Sequence, residues 1–443
     1  MTTAPATNEV DLSSDSIIEA SAYRKVTWRI VPLLVVCFIF AYLDRVNISF
    51  AKLQMQGSFG LSDAAYGLGA GIFFIGYFLF EIPSNIILQR VGARLWIARI
   101  MISWGIASAC MMFVRNETWF YILRFTIGAT EAGFLPGIIL YFTFWFPAKK
   151  RAQINALFLT SVPLSGVIGG PIAGYILTYL DGVAGLPGWQ WLFVAEGVPT
   201  VLLGIAVALL LRDRPSDATW LTAAERQAIE NNLALEADKD RVHHFGKALL
   251  RPEIFFLTAV FFLLLIGLWG FTFWLPELIK QAGVASKMTI GLLAATPYSV
   301  ACVAMVLVGR SSDRTGERRL HLGITALIGS VGFLLSGWFG ANINLAIIAL
   351  AVAAAGTIGC FPVFWSLPPK SLAGPAAAGG IALINSVGNL AGAISPYLVG
   401  KVKDLTGSTE AALYVIAGSM LISATIVLIS LPKKLAERDK VIV

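Results

Sequence analysis

Long apolar runs separated by short polar stretches fill this chain from about residue 29 to residue 432. Twelve can be marked, at about 29–50, 64–88, 96–114, 119–146, 153–179, 189–211, 252–280, 288–310, 321–340, 344–367, 376–400 and 411–432. At ~1.5 Å of rise per residue, helices of this length cross a bilayer. The runs do not alternate with a period of two, so they are not the strands of a membrane barrel. The pattern predicts an all-α polytopic membrane protein with 12 transmembrane helices in two pseudo-symmetric six-helix bundles. The expected parts are a tail over 1–28, a first bundle over 29–211, a central loop over 212–251, a second bundle over 252–432 and a tail over 433–443.

Composition agrees. The chain is 57% hydrophobic and 13% charged, against about 45–50% and about 25% in soluble domains. The net charge of +7 gives no reason to expect nucleic acid as a partner, because the basic residues are distributed as orientation signals. Of the 33 lysines and arginines, 25 fall in one set of loops and six in the other (Lys52, Arg115, Lys280, Lys287, Lys401 and Lys403), leaving Arg45 and Arg124 inside spans. This bias places both termini in the cytoplasm and implies a multi-pass protein of the inner (plasma) membrane. Residues 1–22 are polar and acidic, lack the pattern of a cleaved signal peptide, and are expected to be disordered. The four cysteines (Cys37, Cys110, Cys302 and Cys360) lie in apolar runs with no ligand-like spacing, so neither a disulfide framework nor a metal or other cofactor is expected. His243, His244 and His321 fall in polar loops and read as solvated. Trp96, Trp119, Trp145, Trp189 and Trp191 fall near span ends, as an interfacial belt would place them.

The halves repeat each other weakly. Gln89–Arg94 aligns with Asp313–Arg318 at an offset of 224, Gly166 and Gly170 with Gly388 and Gly392 at 222, and Gly133 and Pro136 with Gly359 and Pro362 at 226. Three concordant offsets near half the chain length point to duplicated halves. Between them, Thr222-Ala223-Ala224-Glu225 has the form of a capping box. It predicts a helix to about Asp238 whose Leu221, Ile229 and Leu233 could face the membrane surface or the bundle.

The chemistry-bearing residues are the charges inside spans. Asp44 and Arg45 sit side by side at the end of the first run. Arg124 and Glu131 are two turns apart on one face of the fourth, a rise of ~10.5 Å. A charge at membrane depth costs roughly 2.5–3.5 kcal/mol on insertion scales, so such residues are usually paired, enclosed or facing water. They could form a neutral network that only fixes helix packing, but apolar helices associate without charges, and a transport site accounts for them better. Arginine presents a planar fork matched to a carboxylate, which makes Arg45 and Arg124 the expected contacts for an anionic substrate. Asp44 and Glu131 are the expected proton carriers, the proton being the coupling ion. Glu81, Glu196 and Glu277 read as interfacial or loop-anchoring. Gly166, Gly170 and Gly174, with Gly392 in the second half, allow close helix approach where the bundles would flex. Trp269 and Trp274 read first as packing residues.

The segment Gly309-Arg310-Ser311-Ser312-Asp313-Arg314-Thr315-Gly316-Glu317-Arg318-Arg319 resembles the cytoplasmic signature of the major facilitator superfamily. Its first-half copy is degenerate, with Gln89 in place of an acid. Within that superfamily, Asp44-Arg45-Val46-Asn47, Glu81-Ile82-Pro83-Ser84-Asn85, Arg124 with Glu131-Ala132-Gly133-Phe134, and Trp145-Phe146-Pro147 look like the anion:cation symporter family. The exit of span 6, Asp213-Arg214-Pro215 with Ala218-Thr219-Trp220-Leu221, is similar to its bacterial organic-acid members, with a leaning to the tartrate type. The resemblance implies proton-coupled uptake of a small organic carboxylate by alternating access in a monomer. It implies that Tyr42, Tyr77 and Asn385 or Asn389 complete the pocket, and that Asp313 and Arg314 latch cytoplasmic helix ends. A proton-independent exchanger or an exporter is the alternative. A sensor would want a larger soluble domain than the central loop provides. An enzyme would want a nucleophile with its base or a metal cluster within the spans.

Overall fold

A computed structural model describes residues 9–237, 252–368, 375–432 and 435. Lys370, His243, His244 and the basic residues of the C-terminal tail lie outside the described residues. Twelve helices are long and apolar enough to cross a membrane: Ser16–Phe59, Asp63–Val91, Ala93–Phe113, Glu117–Thr143, Ser161–Tyr179, Gly188–Leu210, Pro252–Gln281, Lys287–Thr315, Arg319–Trp338, Ile343–Trp365, Gly380–Thr406 and Thr409–Ser430. They are called spans 1 to 12. No strand occurs among the described residues.

Span 1 departs most from expectation. It belongs to a helix that begins at Glu9 and runs to Phe59, so the early residues are helical where disorder was expected. Ala22, Tyr23 and Val26 are buried, and the cause lies in the central segment. Its helix, Ala223–Ala237, starts with the expected capping box: Thr222 N donates to Glu225 Oε2 at 3.0 Å and Glu225 N to Thr222 Oγ1 at 3.2 Å. Glu225 also accepts from Ser21 Oγ at 2.8 Å and Lys25 Nζ at 2.9 Å. Burial alone would raise the Glu225 carboxyl, but Lys25, the Thr222 amide and Ser21 bring it down to about 2. Ile229 and Leu221 are buried against the first bundle, so this amphipathic face packs on protein.

The basic loops repeat each other in structure. After span 2, the Arg94 amide donates to Asp213 Oδ1 beyond span 6 at 2.8 Å. After span 8, Arg319 donates to the carbonyl of Leu428 near the end of span 12. Asp313, half of the expected latch, instead pairs with Arg318 at 2.7 Å within the same turn, and Arg314 is exposed. The reach to another span comes from Arg319, because the chain turns back at Gly316 and span 9 starts there. Burial would raise the Glu317 carboxyl, yet the Leu320 amide and His321 hold it below its ordinary value. His321 is therefore bonded, to Glu317 at 3.1 Å and to Ser311 at 2.9 Å.

The two bundles meet on the side opposite the basic loops. Near that face span 2 packs on span 11, and span 5 on span 8, a pairing the duplication predicts. A Cβ on Gly67 would fall 2.2 Å from the Pro396 carbonyl oxygen, and one on Gly170 would fall 2.5 Å from that of Gly291. Glycine is thus required for these backbones to touch. Gly392 lies against the Phe74 ring, where a Cβ would meet it at 2.6 Å. Trp145 and Trp189 lie at span ends as expected but face protein and not the surroundings: Trp145 stacks on Trp220 at 5.8 Å, and Trp189 sits edge-on to Phe193 at 6.2 Å.

Candidate functional site

Span 4 is two helices, Glu117–Glu131 and Phe134–Thr143, with Gly133 between them at φ 87°. A side chain disfavours that backbone region, and a Cβ there would lie 2.4 Å from Ser84 Oγ. The break leaves Glu131 at a helix C-terminus, where the dipole disfavours negative charge. A cation meets it. Arg45 of span 1 donates through Nη2 to Glu131 Oε1. Glu131 is fully buried, and Arg45 keeps 16% of its side chain exposed. The guanidinium lies 5.2 Å from the Phe73 ring, 5.4 Å from Tyr77 and 5.9 Å from Trp269 of span 7. The pair therefore stands where the two bundles face each other. Arg45 Nε and Glu131 Oε2 have no hydrogen-bond partner, so each retains one bonding position.

Asp44 turns elsewhere. Both its oxygens face spans 3 and 6, accepting from Trp104 Nε1 at 2.9 Å, Ser108 Oγ at 2.8 Å and Thr200 Oγ1 at 2.7 Å. Neighbours on a helix point about 100° apart, so Asp44 and Arg45 do not form the single site their adjacency suggested. Arg124 is enclosed as well. Its Nε donates to the Gly69 carbonyl at 3.3 Å and its Nη2 to that of Ala70 at 3.5 Å, leaving Nη1 unpartnered. Phe73 touches both arginines, with Arg124 5.1 Å from its centroid. The structure places Arg45 at the seam between the bundles and encloses Arg124 against the carbonyls of span 2, so the two arginines expected at one site are separated, with Phe73 beside each of them.

Tyr77 and Tyr42 are buried. Asn385 and Asn389 bond to each other, Nδ2 of Asn389 to Oδ1 of Asn385 at 3.1 Å. They flank Ser386, whose hydroxyl donates to Glu81 Oε2 of span 2 at 3.0 Å. Glu81 is thus buried between the bundles and not interfacial, and it adds an acid to the Arg45 side of the site. Glu196 is likewise 3% exposed inside span 6.

A second charged cluster lies towards the opposite face. Lys52, expected in a loop, is fully buried in span 1, 2.8 Å from Asp63 and 3.7 Å from Glu277. Lys403 of span 11 is 2.9 Å from Asp63 and 3.0 Å from Glu277. Two bases and two acids, one of each from either half, make a neutral cluster across the bundle interface. Trp274 caps it, with Lys52 Nζ 4.0 Å from its ring centroid, and Tyr66 donates across the interface to the Phe273 carbonyl at 2.8 Å. Asp181 and Lys287 add an exposed inter-half pair at 2.9 Å. Glu277 is therefore part of a buried network.

These features define a two-bundle membrane carrier with a charged centre and one closed face. The comparisons give the family: the model of the Major Facilitator Superfamily matches residues 34–396 and 286–441, and the chain belongs to it. The chain is 48% identical to the provisionally named metabolite transport protein NicT of Pseudomonas putida, over 98% of this chain and 100% of that one. It is 46% identical to a provisionally named tartrate transporter of Agrobacterium vitis, over 95% and 94%. Its fold matches the crystal structure of a D-xylose-proton symporter with TM-score 0.75 at 16% identity, covering 93% of this chain and 99% of that one. The protein is a multi-pass transporter and not an enzyme.

Proposed function

We propose that the protein takes up a small organic carboxylate, such as tartrate or a related hydroxy, sugar or aromatic acid, together with a proton across the inner membrane. The basic face is then cytoplasmic and the ion-paired face external. The Arg45–Glu131 pair carries this reading. While Glu131 is ionised it occupies the guanidinium of Arg45 and repels an incoming anion. Protonation of Glu131 frees Arg45 to form the bidentate contact that a carboxylate accepts. By linkage the bound anion then favours protonated Glu131 to the same degree. Proton and anion load together, and the halves rock about the site. Tyr77 and the Asn385–Asn389 pair supply neutral hydrogen bonds, the name of the Agrobacterium relative supports a hydroxy acid, and a monomer suffices.

The test is uptake into proteoliposomes with and without an inward proton gradient. Wild type should accumulate the acid only with the gradient. Glu131→Gln should keep counterflow exchange and lose gradient-driven accumulation. Undiminished accumulation by that variant would remove Glu131 from coupling. Wild-type uptake indifferent to the gradient would favour a proton-independent exchanger.

A further inference from the structure

Glu196 is a further buried acid beside the seam between the halves, apart from the Arg45–Glu131 pair. A cavity of about 10 Å³ lies among spans 1, 5, 6, 7 and 8, enough for about one water. Its polar lining is Asn47 and Ser49 of span 1, Ser165 of span 5, Glu196 of span 6, Thr272 of span 7 and Tyr298 of span 8. No lysine, arginine or histidine lines it. Glu196 is 3% exposed with Oε2 unpartnered, and Asn47 is 1% exposed with both amide atoms unpartnered. Ser165 donates to the Ser161 carbonyl at 2.6 Å, and Tyr298 donates to Thr272 at 3.4 Å. The other carboxyl beside Glu196 is Asp44, held by Thr200 one turn further along span 6, and Tyr298 is the other titratable group of the lining. Asp44 accepts three donors, an arrangement that suits an ionised carboxylate. Two neighbouring carboxylates in so apolar an interior cannot both stay ionised without a cation, and the cavity at Glu196 offers none.

We propose that Glu196 is a second proton site of the transporter, its acid hydrogen held against Asn47 in the chamber between the halves while Asp44 stays ionised. Loading transfers H⁺ from a hydronium to the Glu196 carboxylate and leaves water; unloading is the reverse. The chamber lies at the seam of spans 5 and 8, where Gly166 faces Tyr298 and Gly170 faces Gly291. Parting of the halves there opens Glu196 to water, and their approach seals it. The role in transport rests on the symport reading, whereas the protonation of Glu196 does not.

The experiment is infrared spectroscopy of the purified full-length protein at neutral and alkaline pH, in H₂O and D₂O. Wild type should show a protonated carboxyl band at neutral pH. That band should disappear in Glu196→Gln, persist in Glu131→Gln and shift to higher frequency in Asn47→Ala, which lacks its bonding partner. A band unchanged in both Glu196→Gln and Asn47→Ala overturns the proposal. In proteoliposomes loaded with tartrate, Glu196→Gln should lower the proton-to-substrate ratio by one relative to wild type. An unchanged ratio removes Glu196 from coupling. Wild-type uptake without proton flux defeats the symport reading, and the infrared result still decides the site.

Discussion

Replacing Lys52 by Met tests whether the buried cluster holds one face of the carrier shut. Lys52 is fully buried, 2.8 Å from Asp63 and 3.7 Å from Glu277, and Lys403 bridges the same two acids at 2.9 and 3.0 Å. Methionine fills most of the volume but leaves two acids facing one base. Breaking a buried ion network by removing one partner costs about 3–5 kcal/mol. The cost falls on the state in which the halves are closed here, because separation lets water reach the acids. At ~1.4 kcal/mol per tenfold, 3 kcal/mol shifts the closed-to-open ratio by roughly 150-fold. The assay is labelling by a membrane-impermeant maleimide at Ala393→Cys, which lies against Gly71 in the closed seam, in a background lacking the four native free cysteines. Wild-type Lys52 should label slowly and Lys52→Met much faster. Adding Glu277→Gln, which leaves one acid and one base, should slow labelling again. If Lys52→Met labels at the wild-type rate and the second substitution changes nothing, the cluster is packing and not a gate.

Arg45→Lys keeps the charge and loses the planar fork, so substrate affinity should fall at least about tenfold, near 1.4 kcal/mol, measured by ligand-induced thermal shift. Gly133→Ala forces a side chain into φ 87° and into Ser84 Oγ; a cost of about 2–4 kcal/mol should appear as a lower melting temperature in detergent, with less effect for alanine at the half-buried Gly418, where a Cβ meets open space. Glu225 is held to about 2, so its contribution is complete above the ordinary carboxyl range and lost as pH falls towards that value. Protease cleavage at Arg226 should stay slow across mildly acid pH, whereas Glu225→Ala should speed it already at neutral pH.

Twelve spans were legible because hydrophobic length at membrane depth leaves little alternative. Arg45 and Glu131 were legible because unpaired charge in such runs demands a reason, although their mutual contact, 86 positions apart in sequence, was not. Lys52 was missed because the apolar run ends near Phe50 and a lysine beyond it reads as a loop. A signal was present: Ile48, Ala51, Lys52 and Met55 keep helical spacing, and all four are buried. Glu196, Glu277 and Glu81 were misjudged for a related reason. Distance from a span end measures depth, whereas burial depends on which face of the helix the other bundle covers. Trp145 and Trp189 do lie at span ends, but each packs inward because a partner such as Trp220 or Phe193 waits there.

Span 1 ties these sites into one device. Asp44, Arg45, Asn47 and Lys52 lie within nine residues of one helix, yet they serve a carboxylate cage, the central ion pair, the chamber beside Glu196 and the cluster at the closed face. From Arg45 to Lys52 is seven residues, two turns and ~10.5 Å, so both project from nearly the same face of a rigid rod. An anion that draws Arg45 away from Glu131 therefore acts on the helix that also holds Lys52 between Asp63 and Glu277. If the helix moves as a unit, weakening the cluster should raise the open population and also change anion affinity, and by linkage bound anion should bias opening by the factor by which opening changes anion affinity. Substrate titration of Lys52→Met beside the labelling assay measures that factor. Equal affinity in variant and wild type, with labelling accelerated, would mean that span 1 bends between the two sites and that the gate and the ion pair are not linked through it.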